Sequence, residues 1–400
     1  MPTSQARLIR LWVPVWLVFA AFFENMAQQP LISVFSVSLG ASATVAGLTV
    51  SIYSLFNLGG NLISHWALGR VGPRWILGWV MLTAGLLVTA SGFCQTPQQL
   101  LLLRSLHGLA GGLLVPVIFV QISTASTRQR HGITMARGGI AIALASTIGP
   151  VLAGFVNQRA GFATAFTTIG SVLITSGLIA LLLIPHHTPP KRRTLPLKIL
   201  KATWGGCQVR SACRIAFAFM AALGIMAFRF PLKGQEVGLT SGQIGLGFGM
   251  FSLAAAIVMA PAGCLSDRHG RRWPLLGGLV VSTLGMLGLS WGQTFTPLLM
   301  AMVGHGAGFG MLFPVSNALL LDGCRPQERS AAFGVFHAFF SLGVFTGPLV
   351  AIALMRYTSP FHVAAAILLI TATLTASSIP SRPRGSPGQS TVAFEQRKGR

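Results

Sequence analysis

The chain has 400 residues and a formal net charge of +23, yet only 9% of its residues are charged and 52% are hydrophobic. A soluble protein of this size carries roughly 25% charged residues, so the composition excludes a soluble globular protein and predicts a chain surrounded by lipid. Nucleic-acid binding would require the basic residues to gather on one folded face, whereas here they fall between apolar segments.

Twelve predominantly apolar segments follow one another along the chain, separated by short breaks. Each approaches the roughly 20 residues that a membrane-spanning helix requires, and none alternates polar and apolar residues as the strands of a transmembrane β-barrel do. The predicted spans are 11–36, 44–68, 75–94, 98–122, 134–158, 161–185, 213–234, 242–264, 274–294, 296–320, 331–355 and 359–379. The expected fold is therefore all-α and integral to the membrane.

The basic residues mark one side of the membrane. They precede the first segment and follow every second segment after it, whereas the intervening loops hold little beyond Arg159, Lys233 and Arg356. Because Lys and Arg concentrate in cytoplasmic loops, we predict a multi-pass protein of the bacterial inner membrane with both termini in the cytoplasm. The first segment contains Glu24 and is not followed by a small-residue cleavage site, so we expect it to remain as a helix.

An offset of 198 residues relates two halves of the chain. The matched pairs are Gly47 and Gly245, Arg70 and Arg268, His107 and His305, Pro116 and Pro314, Gly149 and Gly347, and Pro150 and Pro348. Such a fixed offset is the signature of an internal repeat. It predicts two homologous six-helix halves, 1–185 and 213–379, joined by a basic linker, 186–212, and followed by a cytoplasmic tail, 380–400.

The gap after the eighth segment, residues 263–272, reads GCLSDRHGRR. This sequence and the two six-helix halves resemble the major facilitator superfamily, whose cytoplasmic loop motif is G-x-L-x-D-R-x-G-R-R. In the copy after the second segment, Gly69 replaces the aspartate and Pro73 an arginine. The resemblance implies two pseudo-symmetric bundles and a conformational latch in which Asp267 meets the start of the fifth helix near 132–137. The latch residues of both copies are Asp267, Arg268, Gly270, Arg272, Arg70, Gly72 and Arg74.

Two further motifs resemble those of drug/proton antiporters in the same family. In the fourth segment, Arg104 is followed at three residues by His107, where the antiporter pattern has glutamine, and then by small residues. In the fifth segment, Gly149-Pro150 is similar to the antiporter glycine-proline motif, and Gly347-Pro348 repeats it. Glycine and proline permit close helix contact and a bend. The two motifs imply export in exchange for protons.

Ionisable groups at membrane depth are functional candidates, and Glu24 lies inside the first segment. At 1.5 Å per residue, Glu24 lies about 20 Å from the cytoplasmic start of its helix and Arg104 about 9 Å from the opposite start of the fourth helix. In a hydrocarbon core roughly 30 Å thick these heights match, so we predict a Glu24–Arg104 pair with His107 one turn deeper. The three residues are the expected proton-coupling group, with a permanent structural pair as the alternative.

The resemblance implies that the first, fourth, seventh and tenth helices line the central cavity. The residues on them that we expect to bind substrate are Arg104, Arg229, His305, Phe23 and Phe313. Alternatively, His305 is a packing residue and Arg229 extends to the outer interface. The roles of His337 and Arg137, cavity residues or helix contacts, stay open. Because cationic candidates outnumber Glu24, we expect an anionic or zwitterionic substrate.

The sequence thus predicts a secondary active transporter that works by alternating access. We expect proton-coupled export of a small amphipathic, anionic or zwitterionic organic compound, such as a drug, a secreted metabolite or a metallophore. The alternative is a proton-coupled importer of an organic anion or a sugar. The sequence has no phosphate-binding glycine-lysine loop, so we expect no cofactor, with energy supplied by a proton gradient. The six acidic residues are too scattered for an enzyme, and the five cysteines lack metal-ligand spacing. The expected partners are a small-molecule substrate and membrane lipid, not nucleic acid, with the protein acting as a monomer.

Overall fold

The computed structural model describes residues 4–125, 131–185, 206–325 and 328–379, which form helices joined by short turns, with no β-strand among them. In chain order the helices are α1 (Ser4–Ala27), α2 (Ile32–Ser38), α3 (Ala43–Val71), α4 (Pro73–Ser91), α5 (Pro97–Ala125), α6 (His131–Leu183), α7 (Cys207–Glu236), α8 (Ser241–His269), α9 (Arg272–Trp291), α10 (Phe295–Asp322), α11 (Arg329–Leu354) and α12 (Pro360–Ser378). The predicted all-α membrane fold is confirmed.

Ten helices in the described part of the chain are long and apolar enough to cross a membrane. One of them, Ala136–Leu183, holds two crossings, because Gly161 has non-helical backbone angles with a φ of +79°. An unbroken α6 would be about 80 Å long at 1.5 Å per residue, far more than the roughly 30 Å hydrocarbon core. The apolar stretch Trp12–Ala27 of α1 provides the remaining crossing of the twelve that the sequence predicts.

Two predicted boundaries are corrected. The first span, 11–36, is interrupted after Ala27, and Pro30 lies in the turn before α2. Proline lacks an N–H and clashes with the preceding helical turn, which explains the break. The predicted linker, 186–212, ends too late, because α7 already begins at Cys207. Residues 186–205 of the linker and the tail, 380–400, lie outside the described residues.

The turns of the two halves repeat at the same offset of 198 residues. Ser42 caps α3 and Thr240 caps α8, each accepting a hydrogen bond from a backbone N–H of the first helical turn. Gly72 and Gly270 follow the same two helices with φ of +84° and +85°. Only glycine adopts such angles at little cost. The repeat seen in the sequence is therefore also a repeat of backbone geometry.

Helix packing within the halves follows the repeat as well. In the amino-terminal half, α3 packs on α5, α1 on α6, and α4 on α6. In the carboxyl-terminal half, the equivalent pairs α8–α10, α7–α11 and α9–α12 are in contact. Each half has its own apolar core. The two halves therefore repeat the same pattern of helix contacts, each around its own apolar core.

The two halves meet mainly through α6 with α8 and through α3 with α11. We call the end of the molecule that carries Arg268 and Arg272 the basic end, and the other the opposite end. At the opposite end, Asn157 donates a hydrogen bond to Ser241 across the halves (2.9 Å). Nearby, a Cβ on Gly154 would lie 3.0 Å from the Cα of Gly245. The halves are therefore in close contact at the opposite end.

The same helix faces are apart at the basic end. A Cβ on Gly139 of α6, Gly263 of α8 or Gly334 of α11 would meet no atom of the described residues within 4 Å. Gly263 lies 18 residues after Gly245, which is five helical turns at 3.6 residues per turn, so both glycines are on one face of α8. The bundles therefore diverge toward the basic end, and the space between them opens there.

Candidate proton and substrate site

The site in the amino-terminal half depends on close packing between α3 and α5. A Cβ on Gly108 would lie 3.0 Å from the Cα and carbonyl carbon of Tyr53. Gly306 approaches Phe251 in the same way in the other half. Small residues permit such backbone approach in membrane helices. The glycine after His107 therefore brings α3 against α5 and encloses the histidine.

Glu24 and Gln28 of α1 face His107 and Arg104 of α5 in a buried polar ladder. Glu24 Oε1 lies 2.8 Å from His107 Nε2. One turn further along α1, Gln28 Oε1 accepts a hydrogen bond from Arg104 Nη1 (2.9 Å), and Gln28 Nε2 donates to Glu24 Oε1 (2.5 Å). Glu24, Gln28 and His107 are each 1% exposed and Arg104 is 7% exposed. The ladder thus places four polar side chains inside an otherwise apolar bundle.

The predicted direct pair between Glu24 and Arg104 is wrong by one helical turn. Among the described residues, the ionisable side chain beside the Glu24 carboxylate is His107, and Gln28 occupies the position opposite Arg104. The helix starts assumed from hydropathy were too imprecise to fix this register, because one turn is about 5.4 Å. Glu24 and Arg104 are therefore connected through two neutral side chains, Gln28 and His107.

The hydrogen-bond chemistry of Arg104 sets the tautomer of His107. Arg104 Nη1 lies 3.3 Å from His107 Nδ1, and a guanidinium can only donate. Nδ1 must then be the acceptor, which leaves the proton on Nε2. That nitrogen is close to Glu24 but lacks an aligned acceptor in the described residues. The ladder as it stands therefore contains a neutral histidine.

Tyr53 supports the ladder from α3. The Arg104 guanidinium carbon lies 4.5 Å from the centroid of the Tyr53 ring, and Asn25 Nδ2 donates to the Tyr53 hydroxyl (3.1 Å). Stacking on an aromatic face is a favourable arrangement for a desolvated guanidinium. Arg104 Nε, by contrast, is buried without a hydrogen-bond partner among the described residues. The Arg104 guanidinium therefore lies against the Tyr53 ring, and its Nε–H donates to none of the described residues.

The carboxyl-terminal half lacks this ladder. The positions 198 residues after Glu24, Gln28 and Arg104 are Ala222, Met226 and Met302. His305, which matches His107, is fully buried; its Nδ1 lies 2.7 Å from the Ser282 hydroxyl and its Nε2 has no partner in the described chain. This environment fits the packing alternative for His305.

The carboxyl-terminal half instead carries an aromatic wall. We use this name for Phe219, Phe251, Phe309, Phe313, Phe340 and His337. Phe309 and Phe313 stack with ring centroids 6.1 Å apart, and Phe313 meets Phe340 edge-on at 6.3 Å. The residues at the matching positions of the other half are Ala21, Tyr53, Gly111, Val115, Ile142 and Gly139. The wall is therefore not a feature of the repeat, and it contains the predicted residue Phe313.

Two of the residues predicted to bind substrate lie outside both the polar ladder and the aromatic wall. Arg229 forms a two-pronged ion pair with Glu236, with distances of 2.6 and 2.7 Å, at the end of α7. This ion pair neutralises the charge of Arg229, so Arg229 is not the free cation that we expected to bind substrate. Phe23 is 3% exposed and packs against Phe19 in the core of its half. A Cβ on Gly149 would lie 2.9 Å from the backbone oxygen of Phe23, so α6 packs closely against α1 at this glycine.

The loop motif forms a local charged cluster at the basic end. Arg271 donates to Asp322 at the end of α10 (2.8 Å) and to Asp267. Burial lowers the pKa of Arg271, but the hydrogen bonds to Asp322 and Asp267 outweigh burial and raise the pKa above its ordinary value. The Asp267 side chain is 72% exposed. Among the described side chains it pairs with Arg271, not with α6, and the side chains at 132–135 are outside the described residues.

Two other latch residues, one in each half, lie over the tryptophan that follows them in the chain. Arg272 lies over Trp273 with its guanidinium carbon 5.8 Å from the ring centroid, and Arg74 lies over Trp75 at 5.5 Å. At the positions matching Asp267, Arg271 and Asp322, the amino-terminal half has Gly69, Pro73 and Thr124. The charged cluster is therefore confined to one half, and its role as a latch stays a prediction.

Sequence reasoning missed several residues of these clusters. Gln28 and Tyr53 are common neutral residues in apolar segments, so composition gives no signal for them. A signal did exist in the spacing, since Gln28 lies four residues after Glu24 and therefore on the same helix face.

Across the described residues, no group of three or more His, Cys, Asp and Glu side chains is placed to hold a metal ion.

Comparison with known proteins gives consistent results. A family model described as "Major Facilitator Superfamily" matches residues 15–232 and 212–397. The chain is 28% identical over 386 residues to the multidrug resistance protein MdtG of Enterobacter lignolyticus, covering 92% of this chain and 91% of that protein. It is 27% identical over 396 residues to MdtG of Escherichia coli K12, covering 94% and 95%.

Solved structures share the fold at low sequence identity. A bacterial homologue of the human lysosomal transporter Spinster, described as inward-facing and unoccupied, superposes with a TM-score of 0.77 at 13% identity and covers 96% of this chain and 100% of its own. The nucleoside transporter NupG superposes with a TM-score of 0.75 at 12% identity and covers 92% and 100%. Identities this low speak for the fold alone.

Proposed function

The chain belongs to the major facilitator superfamily, and on this premise we propose that it is a proton-coupled exporter of an amphipathic aromatic compound that carries a carboxylate. Transport rather than catalysis follows from the family, and the similarity to the multidrug resistance protein MdtG supports export. We propose proton coupling, the substrate class and the direction of transport from the geometry of the site.

The observation that carries the proposal is the buried carboxylate of Glu24. It is 1% exposed and its partners are a histidine and an amide, not a permanent cationic partner. A charge at the centre of a bilayer costs at least about 2.5 kcal/mol. A carboxylate that bears this cost with only neutral neighbours in contact is well suited to accept and release a proton.

The substrate class follows from Arg104 and the aromatic wall. Arg104 is held over Tyr53 with Nε unused, and a guanidinium recognises carboxylates. The Phe309–Phe313 stack offers a flat apolar surface. Because Arg229 is paired with Glu236, the site has one cation for substrate rather than several. This favours an anionic or zwitterionic aromatic molecule, in agreement with the expectation from sequence.

The transport cycle combines these parts with the opening at the basic end. If the basic end is cytoplasmic, the arrangement seen here corresponds to a transporter open to the cytoplasm with Glu24 ionised. Arg104 is then in place to receive the substrate carboxylate. Protonation of Glu24 from the opposite side would weaken the ladder and lower the affinity for substrate. Proton and substrate would thus exclude each other, as proton exchange requires.

The test is Glu24→Gln in proteoliposomes with ciprofloxacin, a fluorescent aromatic zwitterion with a carboxylate, as the probe. We expect an imposed pH gradient to drive ciprofloxacin movement by the wild type and not by the variant, because the amide cannot take up the proton. Binding to the variant should stay measurable. The matched control is Glu328→Gln, which changes an acid at the start of α11. Wild-type rates of pH-driven movement in Glu24→Gln would end the proposal, and reversing the gradient distinguishes export from import.

A further inference from the structure

Among the described residues, Gln28 is the side chain that hydrogen-bonds to both charged members of the ladder in a defined direction. Its Nε2 donates to Glu24 Oε1 (2.5 Å) and its Oε1 accepts from Arg104 Nη1 (2.9 Å). It is 1% exposed, so water does not compete for either bond. The amide therefore lies between a carboxylate and a guanidinium, with its dipole aligned to both.

The two charged partners fix the orientation of this amide. A guanidinium can only donate, so it must face the amide oxygen, and an ionised carboxylate can only accept, so it must face the amide nitrogen. Both bonds are assisted by a charge, which makes each roughly twice as strong as a neutral hydrogen bond. A rotated amide would place NH₂ against Arg104 and oxygen against Glu24. While Glu24 is ionised, only one orientation is stable.

Protonation of Glu24 removes the charge from one of these two hydrogen bonds. Arg104 can still only donate, so the amide keeps its oxygen toward Arg104, but its NH₂ now donates to a neutral carboxyl group and that bond loses the strength that the charge gave it. No bond other than hydrogen bonds changes, and the proton added to Glu24 is the only atom gained. Because the carboxylate no longer polarises the amide, the amide oxygen is a weaker acceptor and holds Arg104 less firmly. The position of the guanidinium then depends on the charge of a residue that it does not touch.

We infer that Gln28 is a positioning residue that transmits the protonation state of Glu24 to Arg104 and so sets the affinity of Arg104 for the substrate carboxylate. This inference rests on the proposed function, since it assumes Glu24 as the proton site. The titratable and charged groups facing Glu24 are His107 and Arg104 from α5, with Tyr53 of α3 stacked on Arg104. The part of α6 before Gly161 packs on α1, and its residue at this contact is Gly149, which has no side chain.

The other half supports the inference by contrast. The position matching Gln28 is Met226, and the positions matching Glu24 and Arg104 are Ala222 and Met302. All three polar groups are replaced together, as expected for residues that act as one unit. Met226 is fully buried in its half, so methionine fits at this position of the bundle. Gln28→Met is therefore a substitution of similar shape that removes both hydrogen bonds.

The experiment measures ciprofloxacin binding to the purified full-length protein over a range of pH. For the wild type we expect the affinity to increase by about tenfold per pH unit while Glu24 titrates, because substrate and proton exclude each other. Gln28→Met should bind at every pH about as weakly as the wild type does when Glu24 is protonated, and its affinity should change by less than about threefold per pH unit. Gln28→Leu is the second variant, used if Gln28→Met does not fold.

Glu24→Gln, measured in parallel, separates the two ideas. A flat pH profile in both Glu24→Gln and Gln28→Met supports the inference. A flat profile in Glu24→Gln with a wild-type slope in Gln28→Met overturns the role of Gln28 and leaves the proposed function intact. A wild-type slope in Glu24→Gln overturns the proposed function itself. A merely structural role of Gln28 would lower affinity at every pH and preserve the slope.

Discussion

At the scale of single residues, the two halves of this protein carry different kinds of side chain at matching positions. Glu24 and Arg104 are polar in one half, and the matching residues of the other half are Ala222 and Met302. Burial of each charge is costly, so keeping one set rather than two limits the total cost. The carboxyl-terminal half has aromatic side chains instead, such as Phe313, at positions where the amino-terminal half has smaller residues such as Val115.

Phe313 provides a test of this division. We expect Phe313→Ala to weaken ciprofloxacin binding by roughly fivefold to tenfold, because an aromatic contact contributes about 0.5–1.5 kcal/mol beyond the area it buries. Val115→Ala, at the matching position of the other half, should change binding by less than about twofold. Fluorescence titration of both variants gives the comparison. Equal losses in the two variants would contradict an aromatic wall confined to one half.

Sequence reasoning reached the residue scale only in part. It identified Glu24, Arg104 and His107, because charge at membrane depth is conspicuous. It paired Glu24 with the wrong partner, because a hydropathy profile cannot fix the register of two helices to within one turn. It counted Arg229 as free, although Glu236 lies seven residues later on the same helix face, two turns at 3.6 residues per turn.

At the scale of helices, small residues decide which faces meet. Gly108 lets α5 approach the backbone of α3 at Tyr53. Gly139 of α6 has open space around its Cα instead. The two glycines therefore have different roles although both are in transmembrane helices.

Alanine substitution should separate these roles. Gly108→Ala is expected to destabilise the protein by about 1–3 kcal/mol, because the added methyl group overpacks a helix contact. Gly139→Ala should be neutral or slightly stabilising, since alanine has the higher helix propensity by about 1 kcal/mol. Thermal unfolding in detergent, followed by tryptophan fluorescence, measures both. An equal midpoint for Gly108→Ala and the wild type would refute the close α3–α5 contact.

The helices themselves were largely predictable from the sequence. Apolar length sets the number of crossings, and the offset between His107 and His305 sets the two halves. Gly161 was at the edge of a predicted gap and does turn the chain. The break at Pro30 was missed, because the surrounding residues are apolar enough to continue a span. The early start of α7 was missed because Arg210 suggested a polar linker.

At the scale of the whole molecule, the halves touch at the opposite end and separate at the basic end. Asn157 is held against Ser241, whereas Gly139, on the same arm of α6, faces open space. Sequence could not have predicted this state, because the same chain must also adopt the reverse opening during alternating access. Only three-dimensional contacts distinguish the two.

Cysteine labelling should detect the opening. In a background with the five native cysteines changed to serine, Gly139→Cys and Asn157→Cys are treated with a membrane-impermeant maleimide in vesicles that expose the basic end. We expect Gly139→Cys to react at least about tenfold faster, because Asn157 is protected until the contact opens. Similar rates at the two positions would be incompatible with an opening at the basic end.

If Glu24 carries the transported proton, as we propose, then the presence of a single carboxylate deep within the spans limits what the transporter can achieve. One acid can carry at most one proton per turnover, so the stoichiometry is capped at one. Exchange of one proton for a zwitterion moves one elementary charge, which a membrane potential drives with about 2.3 kcal/mol per 100 mV. That energy sustains roughly a fiftyfold concentration ratio per 100 mV. Under the same proposal, a second acid in the other half would square this ratio.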